Sequence, residues 1–150
     1  MGLSFLPASK ESIPKILEMM ADFYALEGYP FDSETTSLNL HNFIADTNLG
    51  RLWLLIFGEE IIGYIVLAFG FSFEYGGKDA LIDEFFIKDG YRDQGFGAKT
   101  IEFVTRQAKM LAVKTLHLEV ERRNERGTSL YVKHGFKDNN RLLMNKSLSD

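Results

Sequence analysis

Two long apolar runs in the middle of the chain restrict its fold more than any other feature. The first is RLWLLIF (51–57) and the second is IIGYIVLAFGF (61–71), and only the turn GEE (58–60) separates them. Apolar runs of this length bounded by turn residues are typical of buried strands, and so short a connection predicts a hairpin. The hairpin is therefore expected to form the middle of a sheet.

The segments around the hairpin show helical and strand patterns in turn. SFLPA (4–8) predicts a first strand, and residues 10–28 predict a helix in which Ser12 can cap the start and Pro14 suits an early position. A second helix opens at Asp32 or Ser33. After the hairpin, the sequence predicts strands at 80–87 and 115–120, a long helix to about residue 111, a short helix at 125–135, and one or two final strands to about residue 147. This order predicts one α/β domain over residues 1–150, with helices on both faces of the sheet.

Composition excludes several kinds of chemistry. The chain of 150 residues has no cysteine, which rules out disulfides, thiolate zinc sites and a cysteine nucleophile. His41, His117 and His134 are scattered without metal-ligand spacing, so we expect no metal site. No segment approaches the roughly 20 apolar residues of a membrane span. The N-terminus lacks the layout of a signal peptide, so we expect a cytoplasmic protein that does not contact membranes.

Charge is unevenly distributed along the chain. The net charge of −4 argues against general binding of nucleic acid. Residues 11–34 hold six acids and one base, whereas residues 99–137 hold nine bases and four acids. This asymmetry fits either solvated helix faces or two subsites of opposite sign, one for a cation and one for a polyanion.

The segment YRDQGFGAKT (91–100) carries a strand through a glycine turn into a helix. Such a turn presents backbone N–H groups at the positive end of the helix dipole, where an anion can bind. The dinucleotide fingerprint fails because Thr100 stands where a third glycine is needed. The triphosphate loop fails because Phe96 and Gly97, rather than Lys-Ser/Thr, follow Gly95. A tight turn without a ligand and a different anion site remain open.

The neighbouring motifs favour the anion site. The pattern R-x-x-G-x-G follows an acidic and aromatic strand, and LEV (118–120), Asn124 and LYVKHGF (130–136) come after it. This ordered set resembles the GNAT superfamily of N-acetyltransferases. The resemblance implies a mixed, mostly antiparallel sheet of six to seven strands and acetyl-coenzyme A as the acyl donor, without a metal. IDEFFIKDGYRDQGFG (82–97) is most similar to diamine (spermidine/spermine) acetyltransferases, which implies a small primary amine, a polyamine among the candidates.

The resemblance also implies which residues hold the coenzyme. The strand end Phe85, Phe86 and Ile87 would pair its backbone with the pantetheine amides, and Asn124 and Tyr131 would contact the same arm. The pyrophosphate clamp would be formed by Arg92, Asp93, Gln94, Gly95, Phe96, Gly97 and Ala98. Glycine at 95 and 97 allows the backbone to approach oxygens that a Cβ would block.

Acetyl transfer to an amine also needs a base and an acid. Asp83 and Glu84 are charged residues inside an apolar strand, where a charge is costly, and alternation would place them on opposite faces. By resemblance, Asp83 and Glu84 align with an acidic pair of the diamine enzymes, and Glu119 with the base of protein N-terminal acetyltransferases. All three stay candidates for the base. Tyr131 is the candidate acid, because a phenol can protonate a departing thiolate.

The acceptor amine is expected to bind at the first two helices and the loops at 28–32 and 70–77. Aromatic and acidic side chains suit an alkylammonium through cation–π contacts and ion pairing. The candidates are Tyr24, Glu27, Tyr29, Phe31, Asp32, Glu74 and Tyr75. Two alternatives remain at this stage, namely a protein or peptide N-acetyltransferase and a non-catalytic acyl-coenzyme A–binding regulatory module. The resemblance also makes a homodimer the expected assembly.

Overall fold

The computed structural model describes residues 2–149, and its central feature is a five-stranded sheet. The strands lie side by side in chain order: β1 (Leu3–Pro7), β2 (Gly50–Phe57), β3 (Glu60–Ser72), β4 (Gly77–Ile87) and β5 (Thr115–Leu118). β1 to β4 pair antiparallel, and β5 pairs parallel to β4. The sheet is therefore mixed and mostly antiparallel, which confirms the predicted class.

Four α-helices accompany the sheet within the described residues. They are α1 (Ile13–Glu27), α2 (Ser33–Ala45), α3 (Phe96–Met110) and α4 (Glu125–Lys133), and a 3₁₀ turn at Lys10–Ser12 precedes α1. The chain divides into two compact units, one ending at Glu119 and the other beginning at Val120. The first unit contains the whole sheet and α1 to α3, and the second contains α4.

The predicted strand count of six to seven is too high for the described residues, because no strand follows α4 up to residue 149. The apolar side chains of that stretch are consecutive rather than alternating, with Leu142, Leu143 and Met144 in a row. A strand with one buried face needs a period of two, and these three side chains are instead 81%, 70% and 85% exposed.

Both faces of the sheet are covered, as the apolar hairpin required. On one face, Ile16 and Met20 of α1 and Leu40 of α2 pack against side chains such as Leu54 and Tyr64. Full burial of one such aliphatic side chain contributes about 1.5–3 kcal/mol. Trp53, whose neighbours along β2 belong to this first core, instead meets Phe103 of α3 with ring centroids 5.2 Å apart. Alternation along β2 thus distributes its side chains between the two layers.

An irregularity in β4 determines where the acidic pair lies. Val66 pairs with Glu84, yet the next residue of β3, Leu67, pairs with Ile82, so Asp83 is the extra residue of a β-bulge. A bulge sets two residues against one and interrupts the ladder. Strict alternation therefore does not hold at Asp83 and Glu84, and the expectation that they point to opposite faces loses its basis.

β3 and β4 approach closely just beyond the bulge. A Cβ added at Gly63 would lie 2.2 Å from the carbonyl oxygen of Phe86 and 3.2 Å from the Cα of Ile87. No side chain fits there without a shift of backbone. The glycine at position 63 thus allows β3 to lie close against the last residues of β4. The family resemblance assigns these residues to coenzyme binding.

Candidate active site

Glu84 is an acidic side chain of the sheet that accepts a hydrogen bond at each of its two oxygens. Tyr24 of α1 donates a hydrogen bond to Oε2 of Glu84 at 2.5 Å, and Tyr64 of β3 donates one to Oε1 at 2.8 Å. Burial raises the pKa of Glu84, while the hydrogen bonds from the two phenols act in the opposite direction. The carboxylate is therefore oriented by one bond to each oxygen and sits in surroundings that favour its protonated form.

Asp83 has a different environment from that of its neighbour. It is exposed at the surface, although partial desolvation by the surrounding protein still raises its pKa. Its charge also raises the pKa values of Glu84, Tyr24 and Tyr64, so it lies close enough for all three to feel it. The bulge thus brings both acids of the strand towards one polar cluster, called the Glu84 cluster, which consists of Tyr24, Tyr64, Asp83 and Glu84.

Beside these acids, no strand among residues 2–149 pairs with the outer edge of β4. β5 pairs with β4 only from Asp79 to Ile82 in the part of the chain that the structure describes. Residues 83–87 keep their pairing to β3 on the other edge. Backbone N–H and C=O groups on this open edge can therefore pair with an added extended segment, except the carbonyl of Ile87, which already accepts a hydrogen bond from Arg92. Phe85, Phe86 and Ile87, predicted to pair with pantetheine, lie on this edge.

The glycine-rich segment folds back on the end of β4. Nε of Arg92 donates to the carbonyl oxygen of Ile87 at 2.7 Å, and Nε2 of Gln94 donates to that of Gly90 at 2.9 Å. Asp93 has a φ of 64°, a left-handed conformation that is uncommon outside glycine. These bonds hold the turn so that Gly95 reaches the start of α3.

The start of α3 has the features of an anion site. Gly95 is the N-cap, with a φ of 82° and no side chain that could cap the helix, and the first turn contains no acid. The first N–H groups of a helix lack intrahelical partners, and they lie at the positive end of its dipole. The predicted clamp residues Phe96, Gly97 and Ala98 form this first turn.

A cavity of about 440 Å³ opens next to the glycine-rich segment. It lies between α1 and the end of β4, and its lining combines apolar and charged groups of both signs: Asp22, Leu26, Phe86, Lys88, Asp89 and Arg92. Two of these, Phe86 and Arg92, were predicted to contact the coenzyme. The volume is within the range of sites for small molecules.

Some of the residues predicted to bind the acceptor lie together. The ring of Tyr24 is 6.0 Å from that of Tyr29 and 5.4 Å from that of Phe31, both nearly perpendicular to it. Glu27 is half-buried as the last residue of α1. Asp32 is the N-cap residue of α2, and its carboxylate accepts a hydrogen bond from Thr35. The hydrogen bonds that Asp32 accepts, first of all the one from the Thr35 hydroxyl, lower the pKa of its carboxyl group. This is consistent with a structural role for Asp32.

Glu74 and Tyr75 lie elsewhere in the same unit. They belong to the turn that precedes Gly77 at the start of β4, and Tyr75 stacks edge-on against His117 at 4.9 Å. His117 in turn contacts Asp79 at 3.0 Å. The strand from Gly77 to Glu84 spans roughly 20 Å at about 3.3 Å per residue. The structure therefore does not bring Glu74 and Tyr75 together with the Glu84 cluster.

The remaining predicted residues follow β5. Glu119 is exposed and comes directly after the last residue of that strand. In the second unit, Asn124 caps α4, since its side-chain oxygen accepts a hydrogen bond from the Gly127 N–H at 2.9 Å. Burial raises the pKa of Tyr131, and its ring lies 5.9 Å from that of Phe136. A raised pKa keeps the phenol protonated, as a proton donor requires.

The sequence interpretation missed Tyr64. Its side chain is fully buried and its hydroxyl is satisfied by Glu84. A signal was present, because a tyrosine inside an apolar strand needs a partner for its hydroxyl when it is buried. Glu84 is a part-buried acid of the adjacent strand, so its carboxylate is available as the partner of the Tyr64 hydroxyl.

Metal-binding groups and membrane-spanning helices are both absent from residues 2–149. No group of three or more histidine or acidic side chains there is arranged to hold a metal ion. No helix among the described residues is long and apolar enough to cross a membrane. The candidate site therefore has three parts, namely the Glu84 cluster, the open edge of β4 and the start of α3.

Comparison with known proteins identifies the family of the chain that carries these features. Residues 14–136 match the Acetyltransferase (GNAT) family. The chain belongs to the GNAT acetyltransferase family. It is therefore an acyltransferase, and acetyl-coenzyme A is its donor, as the motif order implied.

Solved structures share the fold of this acetyltransferase over nearly its whole length. An integron cassette protein from the mobile metagenome of Cole Harbour Salt Marsh is 29% identical, with a TM-score of 0.87 over 97% of this chain and 91% of that one. A predicted acetyltransferase from Clostridium acetobutylicum, solved with acetyl-coenzyme A, is 18% identical with a TM-score of 0.81 over 97% and 96% of the two chains. The aminoglycoside 6′-N-acetyltransferase of Acinetobacter baumannii is 15% identical with a TM-score of 0.79 over 99% and 100%. The last two likenesses support the fold alone.

Proposed function

We propose that this acetyltransferase transfers the acetyl group to a primary amine of a small molecule, with polyamines among the substrates. The observation that carries the proposal is the Glu84 cluster. A carboxylate oriented by two phenols lies on the same strand as an open backbone edge, and the aromatic rings of Tyr29 and Phe31 pack against the half-buried phenol of Tyr24. An acidic and aromatic surface of this kind suits an alkylammonium.

The chemistry would proceed by direct attack in a ternary complex. Because the chain has no cysteine, an acyl-cysteine intermediate is excluded. The open edge of β4 would align pantetheine, and the start of α3 with Arg92 would hold the pyrophosphate. Glu84, with Asp83 and Glu119 as alternatives, would receive the proton of the amine. The match to the family runs from residue 14 to 136 and so across both units, which supports a single functional domain.

Tyr131 would protonate the departing thiolate. Replacing it with phenylalanine removes the proton but keeps the ring and its contact with Phe136. We expect turnover to fall roughly tenfold, while the affinity for acetyl-coenzyme A stays near that of the wild type. Steady-state kinetics and calorimetric titration measure the two quantities separately. Loss of binding without loss of the chemical step would refute the role as acid.

Donor binding and amine acetylation can be tested in sequence. Acetyl-coenzyme A at about a hundredfold excess over its Kd should raise the Tm by roughly 5–10 °C. Release of free thiol is then followed with spermidine, a simple diamine, an aminoglycoside and a peptide with a free α-amine, against a blank without amine. The aminoglycoside is included because an aminoglycoside acetyltransferase shares this fold.

The panel separates the proposal from its rivals. Preference for the small amines supports it, whereas preference for the peptide would favour a protein N-acetyltransferase. A thermal shift with no thiol release from any amine would favour an acyl-coenzyme A–binding module without turnover. Absence of the thermal shift would contradict donor binding itself.

Assembly and location complete the proposal. A homodimer is supported by exposed apolar side chains in the last segment, with Leu142 81% and Leu148 89% exposed, since exposed apolar groups mark interfaces. A monomer in sedimentation equilibrium would contradict it. A cytoplasmic location follows from the use of acetyl-coenzyme A, which is an intracellular metabolite, and cell fractionation tests it.

A further inference from the structure

The two phenols on Glu84 differ in how a substrate can reach them. Tyr64 lies on the central strand β3 and is fully buried. Tyr24 lies on α1 and is only half-buried, and its neighbour Tyr29 is 45% exposed. A small molecule arriving from solvent can therefore meet the hydroxyl of Tyr24, but it cannot meet that of Tyr64 without opening the core.

The Tyr24 hydroxyl is connected to the carboxylate in a way that suits proton transfer. It donates its only proton to Oε2 of Glu84 at 2.5 Å, a short bond of the charge-assisted kind. Its oxygen still has lone pairs, which can accept a hydrogen bond from an ammonium group. Hydrogen bonds in a chain polarise one another, so the bond to the carboxylate makes this oxygen a better acceptor.

We propose that Tyr24 takes the proton of the bound amine and passes its own proton to Glu84. The inference rests on the proposed function, because it concerns the amine of that reaction. In the step, an N–H bond of the ammonium breaks as an O–H bond forms on Tyr24. At the same time the original O–H bond of Tyr24 breaks and one forms at Oε2 of Glu84. The products are a neutral amine with a free lone pair, an intact phenol and a protonated Glu84.

The surroundings of the pair favour a concerted transfer of the two protons. Burial and the Glu84 carboxylate raise the pKa of Tyr24, which disfavours a free phenolate as an intermediate. Burial also raises the pKa of Glu84, which makes it a stronger base than a solvated carboxylate. The charged and titratable groups facing the pair are Asp83 of β4, Tyr64 of β3 and Tyr29 after α1. Tyr64 keeps the other oxygen, Oε1, in place throughout.

Tyr24→Phe and Tyr64→Phe form a matched pair of variants. Each removes one hydroxyl from the same carboxylate and keeps the ring that packs with its neighbours. The relay predicts that Tyr24→Phe lowers kcat by roughly tenfold to a hundredfold on the pH plateau. Tyr64→Phe should shift the acidic limb of the pH profile upwards, because a bond that lowers the Glu84 pKa is lost, and should lower the plateau kcat clearly less than Tyr24→Phe does. Binding of acetyl-coenzyme A should be unchanged in both.

Proton inventory in mixtures of H₂O and D₂O gives a second readout. Two protons in flight predict a curved dependence of kcat on the deuterium fraction in the wild type and in Tyr64→Phe. Tyr24→Phe should lose that curvature. Equal loss of plateau kcat in both variants, with the same inventory as the wild type, would overturn the relay and leave amine acetylation intact. A wild type that acetylates no amine would overturn the proposed function, and the relay with it.

Discussion

Replacing Glu84 with glutamine is expected to lower amine acetylation by roughly 10²- to 10⁴-fold, the usual contribution of a general base. The same change is expected to leave the free energy of unfolding at pH 7 equal to or above that of the wild type. Glutamine keeps the shape of the side chain. Its amide oxygen can accept a hydrogen bond from one phenol, and its amide group can donate to the oxygen of the other. It cannot accept a proton.

The expected gain in stability comes from burial of the charge. Burial raises the pKa of Glu84 above its ordinary value of 4.5. The folded state therefore holds this proton more tightly than the unfolded state. For a raised carboxyl pKa, stability falls as pH rises from near 4.5 through the pKa of the folded state, because folding then requires an ionised group in a poor environment. Glutamine has no such dependence.

Urea unfolding at pH 4.5 and pH 7 measures this linkage. The free energy of unfolding of Glu84→Gln minus that of the wild type should be larger at pH 7 than at pH 4.5. Asp83→Asn is the control, because Asp83 is exposed and both phenols donate their hydrogen bonds to Glu84 instead. Most of the turnover should therefore remain in Asp83→Asn. Full turnover in Glu84→Gln, with loss in Asp83→Asn, would move the base to Asp83. Full turnover in both variants would leave Glu119 or water as the candidate base.

Much of this fold could be predicted from the sequence, because the apolar residues of each segment recur with the period of one kind of element, helix or strand. The helix α1 begins and ends close to the predicted residues, α2 begins where it was predicted to begin, and the 51–71 hairpin forms as β2 and β3. The final strands were predicted where Leu142, Leu143 and Met144 stand in a row. Apolar content there gave the wrong answer, because a strand depends on alternation and a partner edge rather than on composition alone.

The arrangement of the site was less accessible. The bulge at Asp83 depends on how β4 pairs with β3, and no local sequence pattern in either strand predicts it. Tyr24 and Glu84 are 60 residues apart in the chain, so their hydrogen bond is a product of packing. Glu74 and Tyr75 resembled the other acceptor candidates in composition, yet the length of β4 separates them from Glu84. Residue type selected the candidate residues, and the packing of α1 and the register of the strands decided which of them lie together.

Replacing Gly95 with alanine is expected to weaken binding of acetyl-coenzyme A by roughly 10²- to 10³-fold. Charge-assisted hydrogen bonds contribute about 1.5–3 kcal/mol each, and every 1.4 kcal/mol changes Kd about tenfold. A Cβ at Gly95 would meet no protein atom within 4 Å, so the methyl group would project from the start of α3 into open space. In the proposed clamp that space belongs to the pyrophosphate, and the methyl group would hold its oxygens away from the N–H groups.

Backbone strain has to be separated from this effect. Gly95 has a φ of 82°, and a left-handed conformation costs a residue with a Cβ about 1–2 kcal/mol. Gly90 is the matched control, since it has a φ of 93°, an equally open Cβ position, and lies before the clamp residues 92–98. Both alanine variants should lower the Tm by similar amounts, because they carry similar strain. Calorimetric titration should show the large loss of affinity only in Gly95→Ala. Equal affinities in the two variants would mean that the start of α3 does not hold the coenzyme, and the anion would then have to be bound through Arg92 and the end of β4.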